Sequence, residues 1–383
     1  MKIALIASPT NINRFSPGFI PFVQEGYEFW QIDIYRPLEE ITELLDQWKP
    51  DGIISEYILG LTRPILDKIQ LPVVICPNDA EDFKYENCRY VDVNDREVGY
   101  SVARYFLNQG YREIAFYGNN THYSEQRLKG YESFLNTKGL QVHKFIERVE
   151  VVRRYTEYWQ DHQSTASEWL QSLPKPCAIF TAHDPLGRSL LERCRQLGIK
   201  IPDDFAVISA NNDPLICDLV NPPLSSVRIP WAQIGYQATQ NLVKICKKNF
   251  DFPLTTLIEP SLIEHRQSSD MLYIDNPVLV QAVYFIRNNI SANLSVEEVV
   301  RHCRVSRRSL EKLFQLYLKK TPREEIVRLK VERAERLLLD TSMQMPEIAE
   351  KSGFSSAERF SVSFKQVTLL TPTAYRKKFQ KVV

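Results

Sequence analysis

Between residues 291 and 375 one helical pattern is written twice, and few folds accommodate that repetition. The first copy runs Leu294-Ser-Val-Glu-Glu-Val-Val and then Val305-Ser-Arg-Arg-Ser-Leu-Glu-Lys-Leu-Phe314. The second runs Met345-Pro-Glu-Ile-Ala-Glu-Lys-Ser-Gly-Phe354 and then Ser355-Ser-Ala-Glu-Arg-Phe-Ser-Val-Ser-Phe-Lys365. Each copy is a short amphipathic helix, a turn, and a second helix opened by a serine, the outline of a helix-turn-helix. Ser295 and Glu298 have the spacing of a capping box, and Val296, Val299 and Val300 share one face. Ser306 caps the next helix, whose Leu310, Leu313 and Phe314 form the inward stripe. That leaves Arg308, Glu311 and Lys312 pointing out, with Arg307 at the N-terminal edge. In the second copy Gly353 suits the left-handed residue that ends a helix, and Ser356 caps the helix that follows. Phe360 and Phe364 turn inward there, while Ala357, Glu358 and Arg359 face out. An outward face rich in donors suits the major groove, where Arg takes guanine bidentately and Lys takes phosphate. For either copy alone, the competing reading is a surface helix with ordinary charges.

Charge decides between those readings. Residues 276–383 carry 20 Lys+Arg against 11 Asp+Glu, a net of +9, so the rest of the chain holds a net of −8. A total of +1 therefore hides a basic tail on an acidic body, the electrostatic footprint of a nucleic-acid binder. An anionic membrane would need a long apolar face beside the charge, and none accompanies it, so no membrane partner is expected. Residues 278–379 resemble the AraC/XylS family of transcription regulators. The resemblance is carried by Ile348-Ala349, Gly353-Phe354, Phe360, Phe364-Lys365, Thr371-Pro372 and Tyr375-Arg376. It implies that Arg307, Arg308, Glu311, Lys312, Ala357, Glu358, Arg359 and Lys365 meet double-stranded promoter DNA. The family's glycine two residues before each Thr-Pro is here Lys319 and Leu369, which puts the local turn geometry in doubt.

The first 265 residues read differently. Short apolar runs (Ile3–Ile6, Gly52–Ser55, Val73–Cys76, Ile114–Tyr117, Cys177–Thr181, Ala206–Ser209) are expected as parallel strands covered on both faces. Amphipathic segments between them (Leu38–Gln47, Asp95–Gln109, Ser124–Thr137, Ser164–Ser172, Pro185–Leu197, Trp231–Lys248) are expected as helices. Such alternation builds α/β layers whose ligands sit beyond the carboxyl ends of the strands. The polar residues at those ends are Ser8, Glu56, Asn119-Asn120, His183-Asp184 and Asn211-Asn212-Asp213. Carboxylates and amides with few cations suit a neutral polyol such as a sugar, although any one of these residues also reads as a turn or cap.

Residues 2–265 resemble the LacI/periplasmic-binding-protein type I sensing domain. The match runs through Val93-Asn-Asp95, Gly99, Gly110-Tyr-Arg-Glu-Ile-Ala-Phe-Tyr-Gly118, Arg127, Gly130-Tyr131, Thr181-Ala-His-Asp184 and Gly198-Ile-Lys-Ile-Pro-Asp-Asp-Phe-Ala-Val-Ile208. The resemblance implies that Arg127 holds ligand hydroxyls and that Trp159 stacks on a sugar face, with Glu56, His183, Asp184 and Asn211 completing the site. His183 stands where the family has Asn, Asn211 where it has Asp, and Ile229 where a glutamine is common. The two polar departures keep hydrogen-bonding capacity and leave the sugar's identity open.

The expected fold is therefore an α/β two-lobed periplasmic-binding-protein type I fold followed by an all-α unit with two helix-turn-helix motifs. The expected domains are residues 1–265 for sensing, 266–276 as a polar linker and 277–383 for DNA binding. That order of modules is similar to the xylose operon regulators, a group of activators. The resemblance implies a monosaccharide effector, D-xylose or else another aldopentose or related sugar, a homodimer, and contact with RNA polymerase. No cofactor or metal is called for. The seven cysteines are scattered without a CxxC pair, as for reduced thiols, and the apolar run Ile3–Ala7 is too short for a signal sequence, so a cytoplasmic protein is expected. No GxGxxG, GxSxG or GxxxxGK[ST] points to an enzyme, and no cysteine has the Cys or His neighbours that an alkyl-accepting repair enzyme needs.

Overall fold

The apolar runs become the centres of two six-stranded sheets in a computed structural model that describes residues 1–58, 60–77, 88–148, 163–270 and 276–379. The N-terminal lobe holds β1 (Lys2–Ala7), β2 (Glu28–Asp33), β3 (Gly52–Ser55), β4 (Val73–Ile75), β5 (Cys88–Val93) and β11 (Thr255–Ile258), in spatial order β11-β5-β4-β3-β1-β2. The C-terminal lobe holds β6 (Ile114–Asn119), β7 (Val142–Glu147), β8 (Cys177–Thr181), β9 (Phe205–Asn211), β10 (Ser225–Arg228) and β12 (Ile263–Glu264), in order β12-β10-β9-β8-β6-β7. All pairings are parallel except β12 on β10. The six expected strands appear within a residue or two of their ends. The sequence did not show β2 and β7, because both are sheet edges whose side chains are largely half-buried or exposed.

Helices cover both faces of each sheet. In the first lobe these are α1 (Pro9–Phe15), α2 (Ile20–Gln24), α3 (Leu38–Trp48) and α4 (Thr62–Leu66). The second has α5 (Asp95–Asn108), α6 (His122–Asn136), α7 (Gln163–Ser172), α8 (Asp184–Gln196) and α9 (Pro214–Cys217), and α10 (Trp231–Cys246) returns to the first. The chain thus passes between lobes three times, around residues 94, 229 and 260. Asn94 ties the first crossing to the third by donating to Glu259 at 3.1 Å, and Ser261 N–H donates to the Arg228 carbonyl at 2.9 Å. α5 and α6 cross at Gly99 and Gly130, where a methyl group would come within 1.9 Å of the Arg127 and Arg96 carbonyl oxygens. Those two glycines let the backbones touch, and that sets the position of Arg127 on α6.

Residues 266–269, expected as the start of the linker, are instead part of the second lobe. Ser268 Oγ donates to the Val207 carbonyl at 2.7 Å and accepts from Ser225 N–H at 2.8 Å, and both Ser268 and Ser269 are buried.

The C-terminal half is all helix: α11 (Pro277–Asn289), α12 (Val296–Cys303), α13 (Arg307–Leu318), α14 (Pro322–Asp340), α15 (Met345–Lys351), α16 (Ala357–Thr368) and α17 (Pro372–Phe379). One core gathers Val283, Val299, Leu310 and Phe314 with Ile326 from the start of α14. A second gathers Ile348, Phe360, Phe364 and Tyr375 with Val331 and Leu338 from its end. α14 is therefore shared by both helix-turn-helix units. The doubt over turn geometry resolves cleanly, since Lys319 (φ +56°) and Leu369 (φ +65°) adopt the left-handed conformation that glycine would take there.

Candidate ligand cleft and nucleic-acid interface

The first strand ends at Ala7, and Ser8 caps α1 by accepting from Asn11 N–H at 3.4 Å. This cap points Asn11 and Arg14, one turn apart, over the C-terminal edge of the first sheet. Glu56, directly after β3, accepts from Ser8 N–H at 2.8 Å and from Asn11 Nδ2 at 2.6 Å. Opposite, Arg127 is almost fully enclosed at 3% exposure. Its Nε donates to Asp95 at 2.7 Å, Nη1 to the Ala182 carbonyl and Nη2 to Asn211 Oδ1 at 3.3 Å, and its guanidinium lies over the Tyr123 ring. These contacts use three of the guanidinium's five N–H donors.

His183 follows the Ala182 carbonyl that Arg127 binds. Burial, with the charges of Arg127 and Arg14, depresses its pKa to about 3, so the imidazole is neutral at any physiological pH, and its buried Nδ1 has no partner. Asn211 and Asn212 both have positive φ, +113° and +53°. Two such residues in succession mark a strained turn at the end of β9. The next residue, Asp213, accepts from Arg14 Nη2 at 3.0 Å, and Arg14 also lies 5.3 Å over the Trp231 ring. That ion pair crosses from one lobe to the other.

The structure thus brings Glu56, Arg127, His183 and Asn211 to the facing edges of the two sheets. Asp184 is corrected: it is fully buried, accepting from Asp213 N–H at 2.8 Å and Ser226 Oγ at 2.6 Å, so its carboxylate supports the strained turn instead of facing a ligand. Trp159 lies outside the described residues. Asp213, already expected at a strand's carboxyl end, joins the cleft, as do Asn11, Arg14, Tyr123 and Trp231, which the sequence did not single out. Asn11 and Arg14 sit on α1 within about two helical turns of the end of β1, farther from the strand than the residues that directly follow it.

In the helical half the caps form as expected. Ser295 and Glu298 make a reciprocal capping box, Ser306 accepts from Ser309 N–H at 3.1 Å, and Ser356 accepts from Arg359 N–H at 3.3 Å. Arg308, Glu311, Lys312, Glu358, Arg359 and Lys365 are exposed, and Ala357 is half-buried. Arg307 is exposed too, but it is held between Glu297 at 2.7 Å and Glu311 at 3.0 Å. Val362, one turn beyond Glu358, is 68% exposed and was not selected from the sequence.

Residues 103–269 match the periplasmic binding protein-like domain, and residues 299–378 match a helix-turn-helix domain. The xylose operon regulatory protein of Haemophilus influenzae is 27% identical over 98% of each chain. The protein of that name from Escherichia coli K12 is 27% identical over 94% of this chain and 92% of its own. A solved xylose-binding transcription activator superposes with a TM-score of 0.59 at 24% identity, covering 99% and 98% of the two chains. Over nearly its whole length the chain is similar to proteins named for the xylose operon. It is a DNA-binding transcription regulator whose sensing domain precedes its helix-turn-helix domain.

The sensing domain and the helix-turn-helix domain touch through a polar seam. His265 stacks on Tyr105 with centroids 4.5 Å apart, and its Nε2 lies 2.9 Å from Glu332 Oε1 on α14. Burial pushes the Glu332 carboxyl up, but His265, Arg328 and Arg336 more than offset this and hold it well below the usual range. Burial likewise opposes ionisation of Glu325, yet Arg328 and Lys320 lower it to about 2. Burial and the neighbouring Glu332 charge push Glu335 up to about 7. Arg287 on α11 reaches back to Gln109 at 2.7 Å. The regulator's seven cysteines form no disulfide, and burial raises every thiol pKa, Cys88 and Cys194 to about 12 and Cys246 to about 11. None has the lowered pKa of a group-accepting nucleophile. No helix among the described residues is long and apolar enough to cross a membrane.

Proposed function

We propose that the chain is a D-xylose-responsive activator. It works in the cytoplasm as a homodimer, placing two DNA-binding halves on tandem half-sites of promoter DNA and engaging RNA polymerase there. Full-length similarity to proteins named for the xylose operon supports the sugar, and the activator named in the superposed structure supports the output. The observation that carries the reading is the cleft itself. Acceptors on Glu56 and Asp213 and donors on Arg127 converge from two lobes, while His183 Nδ1 and Trp231 Nε1 are buried without protein partners. A ring of hydroxyls, each both donor and acceptor, satisfies such a mixed set. Sugar binding favours one lobe arrangement only through its different affinity for the two arrangements, and that difference is what reaches the DNA. A thermal-shift panel of D-xylose, L-arabinose, D-ribose and D-glucose tests the reading. At about 100 times Kd the true effector stabilises the sensing lobes by roughly 2.7 kcal/mol. A flat response to D-xylose alongside a rise with another sugar would assign that sugar instead.

A further inference from the structure

The strained turn Asn211–Asp213 has two attachments. On the cleft side Asp213 accepts the interlobe ion pair from Arg14, and Asn211 accepts from Arg127. On the opposite side Asn212 Oδ1 accepts from Arg266 Nη1 at 2.9 Å. Arg266 is itself pinned, with Nε donating to Asp218 at 2.6 Å, Nη1 donating to the Leu224 carbonyl at 3.0 Å and its backbone N–H donating to Ser225 Oγ at 2.8 Å. Its chain neighbour His265 is stacked on Tyr105 and joined to Glu332 on α14. The short strand β12 just before them pairs with β10, where Glu264 sits opposite Ser226, and Leu262 packs into the core of the second helix-turn-helix unit. One short segment, residues 262–266, therefore touches the cleft turn at one end and the helix shared by both DNA-binding units at the other.

We propose that Arg266 and His265 are positioning residues that transmit the state of the cleft to the DNA-binding half. Arg266 grips the turn through Asn212, and His265 grips α14 through Glu332. The two-state element is the turn: with the lobes closed Asp213 is held by Arg14, and with the lobes apart it is released. A shift of the turn moves Arg266 and, through the adjoining peptide, His265. Because α14 contributes to both helical cores, its displacement changes how the two reading helices are set relative to one another. The relay requires an energetic coupling between its two ends, which a double-mutant cycle reads directly. It rests on the sugar-sensing reading for its input, but the contact chain itself does not depend on which ligand closes the lobes.

The test is a double-mutant cycle on the full chain, joining Asp213→Asn in the cleft with His265→Phe in the seam. Phenylalanine keeps the stack on Tyr105 and removes the contact to Glu332, which retains Arg328 and Arg336 as partners. Affinity is measured for a duplex selected by the wild-type chain from a randomised pool, without and then with D-xylose. Without sugar, Asp213→Asn is expected to change DNA affinity about 5-fold or more in the wild-type background, within the usual range of allosteric coupling, and less than about 2-fold in the His265→Phe background. In the second arm, His265→Phe is expected to leave the D-xylose Kd within about 2-fold while collapsing the sugar's effect on DNA affinity to less than about 2-fold. A merely structural role for His265 shifts both affinities and leaves their coupling intact, which would overturn the proposal. An equal Asp213→Asn effect in the two backgrounds, or none in the wild type, also overturns it. A wild-type chain that ignores D-xylose refutes the effector assignment, and the sugar-free cycle then still decides the relay.

Discussion

Arg127 and Asp95 form an enclosed ion pair, 3% and 7% exposed, with Nε and Oδ1 2.7 Å apart. Arg127→Ala removes the cation and leaves Asp95 buried without compensation. Breaking one partner of a buried pair typically costs about 3–5 kcal/mol, roughly 6–20 °C in melting temperature for a domain of this size. That loss alone says nothing about sugar binding. The informative variant is Arg127→Met with Asp95→Leu, which replaces both charges with apolar groups of similar volume and is expected to be near-neutral for stability. If the two spare guanidinium donors hold sugar hydroxyls, their loss removes two charge-assisted hydrogen bonds of about 1.5–3 kcal/mol each and weakens binding at least about 100-fold. The assay is thermal unfolding with D-xylose at about 100 times the wild-type Kd. Wild type gains roughly 2.7 kcal/mol, or about 5–11 °C, whereas the paired variant gains less than roughly 0.5 kcal/mol. A folded paired variant with the full wild-type shift would refute Arg127 as a sugar contact and leave it a purely structural residue.

Leu369 is 82% exposed and holds φ +65°. A left-handed non-glycine residue costs about 1–2 kcal/mol, partly offset by glycine's larger entropy loss of about 0.5–1 kcal/mol, so Leu369→Gly is expected to stabilise the helical half by about 0.5–1 kcal/mol in urea unfolding. An unchanged or lowered midpoint would count against strain at that cap. Glu335, with its pKa raised to about 7 by burial and by the Glu332 charge, binds a proton more tightly folded than unfolded. Its contribution to stability is therefore present below the unfolded value of about 4.3 and is lost as pH rises through about 7. Glu335→Gln should flatten the stability profile between those limits, and an unaltered slope would remove Glu335 as its source. Val362 presents methyl groups on the outer face of α16, which suits the thymine methyl in the major groove. Replacing thymine by uracil across the selected site should weaken wild-type binding about 4-fold for each methyl contacted, from about 0.8 kcal/mol, and should affect Val362→Ser far less. Equal sensitivity in both proteins would exclude that contact.

Much of this protein was legible because its signals are local. A serine before an amphipathic run, such as Ser295, Ser306 or Ser356, satisfies orphan amides of its own helix and so declares a helix start wherever the chain goes. Short apolar runs declared six of the buried strands in the same way, while the edge strands β2 and β7 stayed hidden behind their mixed faces and the interior strands β5 and β10 behind the polar residues they carry, Arg89 and Asp92 in one and Ser225, Ser226 and Arg228 in the other. Arg127 was found through a resemblance, but nothing near it in sequence names Asp95, Ala182 and Asn211 as the groups that hold it. Asp184 misled because a carboxylate after a strand reads alike whether it faces the cleft or turns under the neighbouring loop.

The order of modules, the helical repeat, the acidic body and the basic tail were determined by the sequence itself, since periodicity, capping and net charge act over a few residues or as sums. The tertiary structure alone decided that Arg14 meets Asp213 across 199 residues and that His265 meets Glu332. Such pairings follow from how lobes and helices pack, and a charged side chain carries no record of which distant partner will exclude water from it.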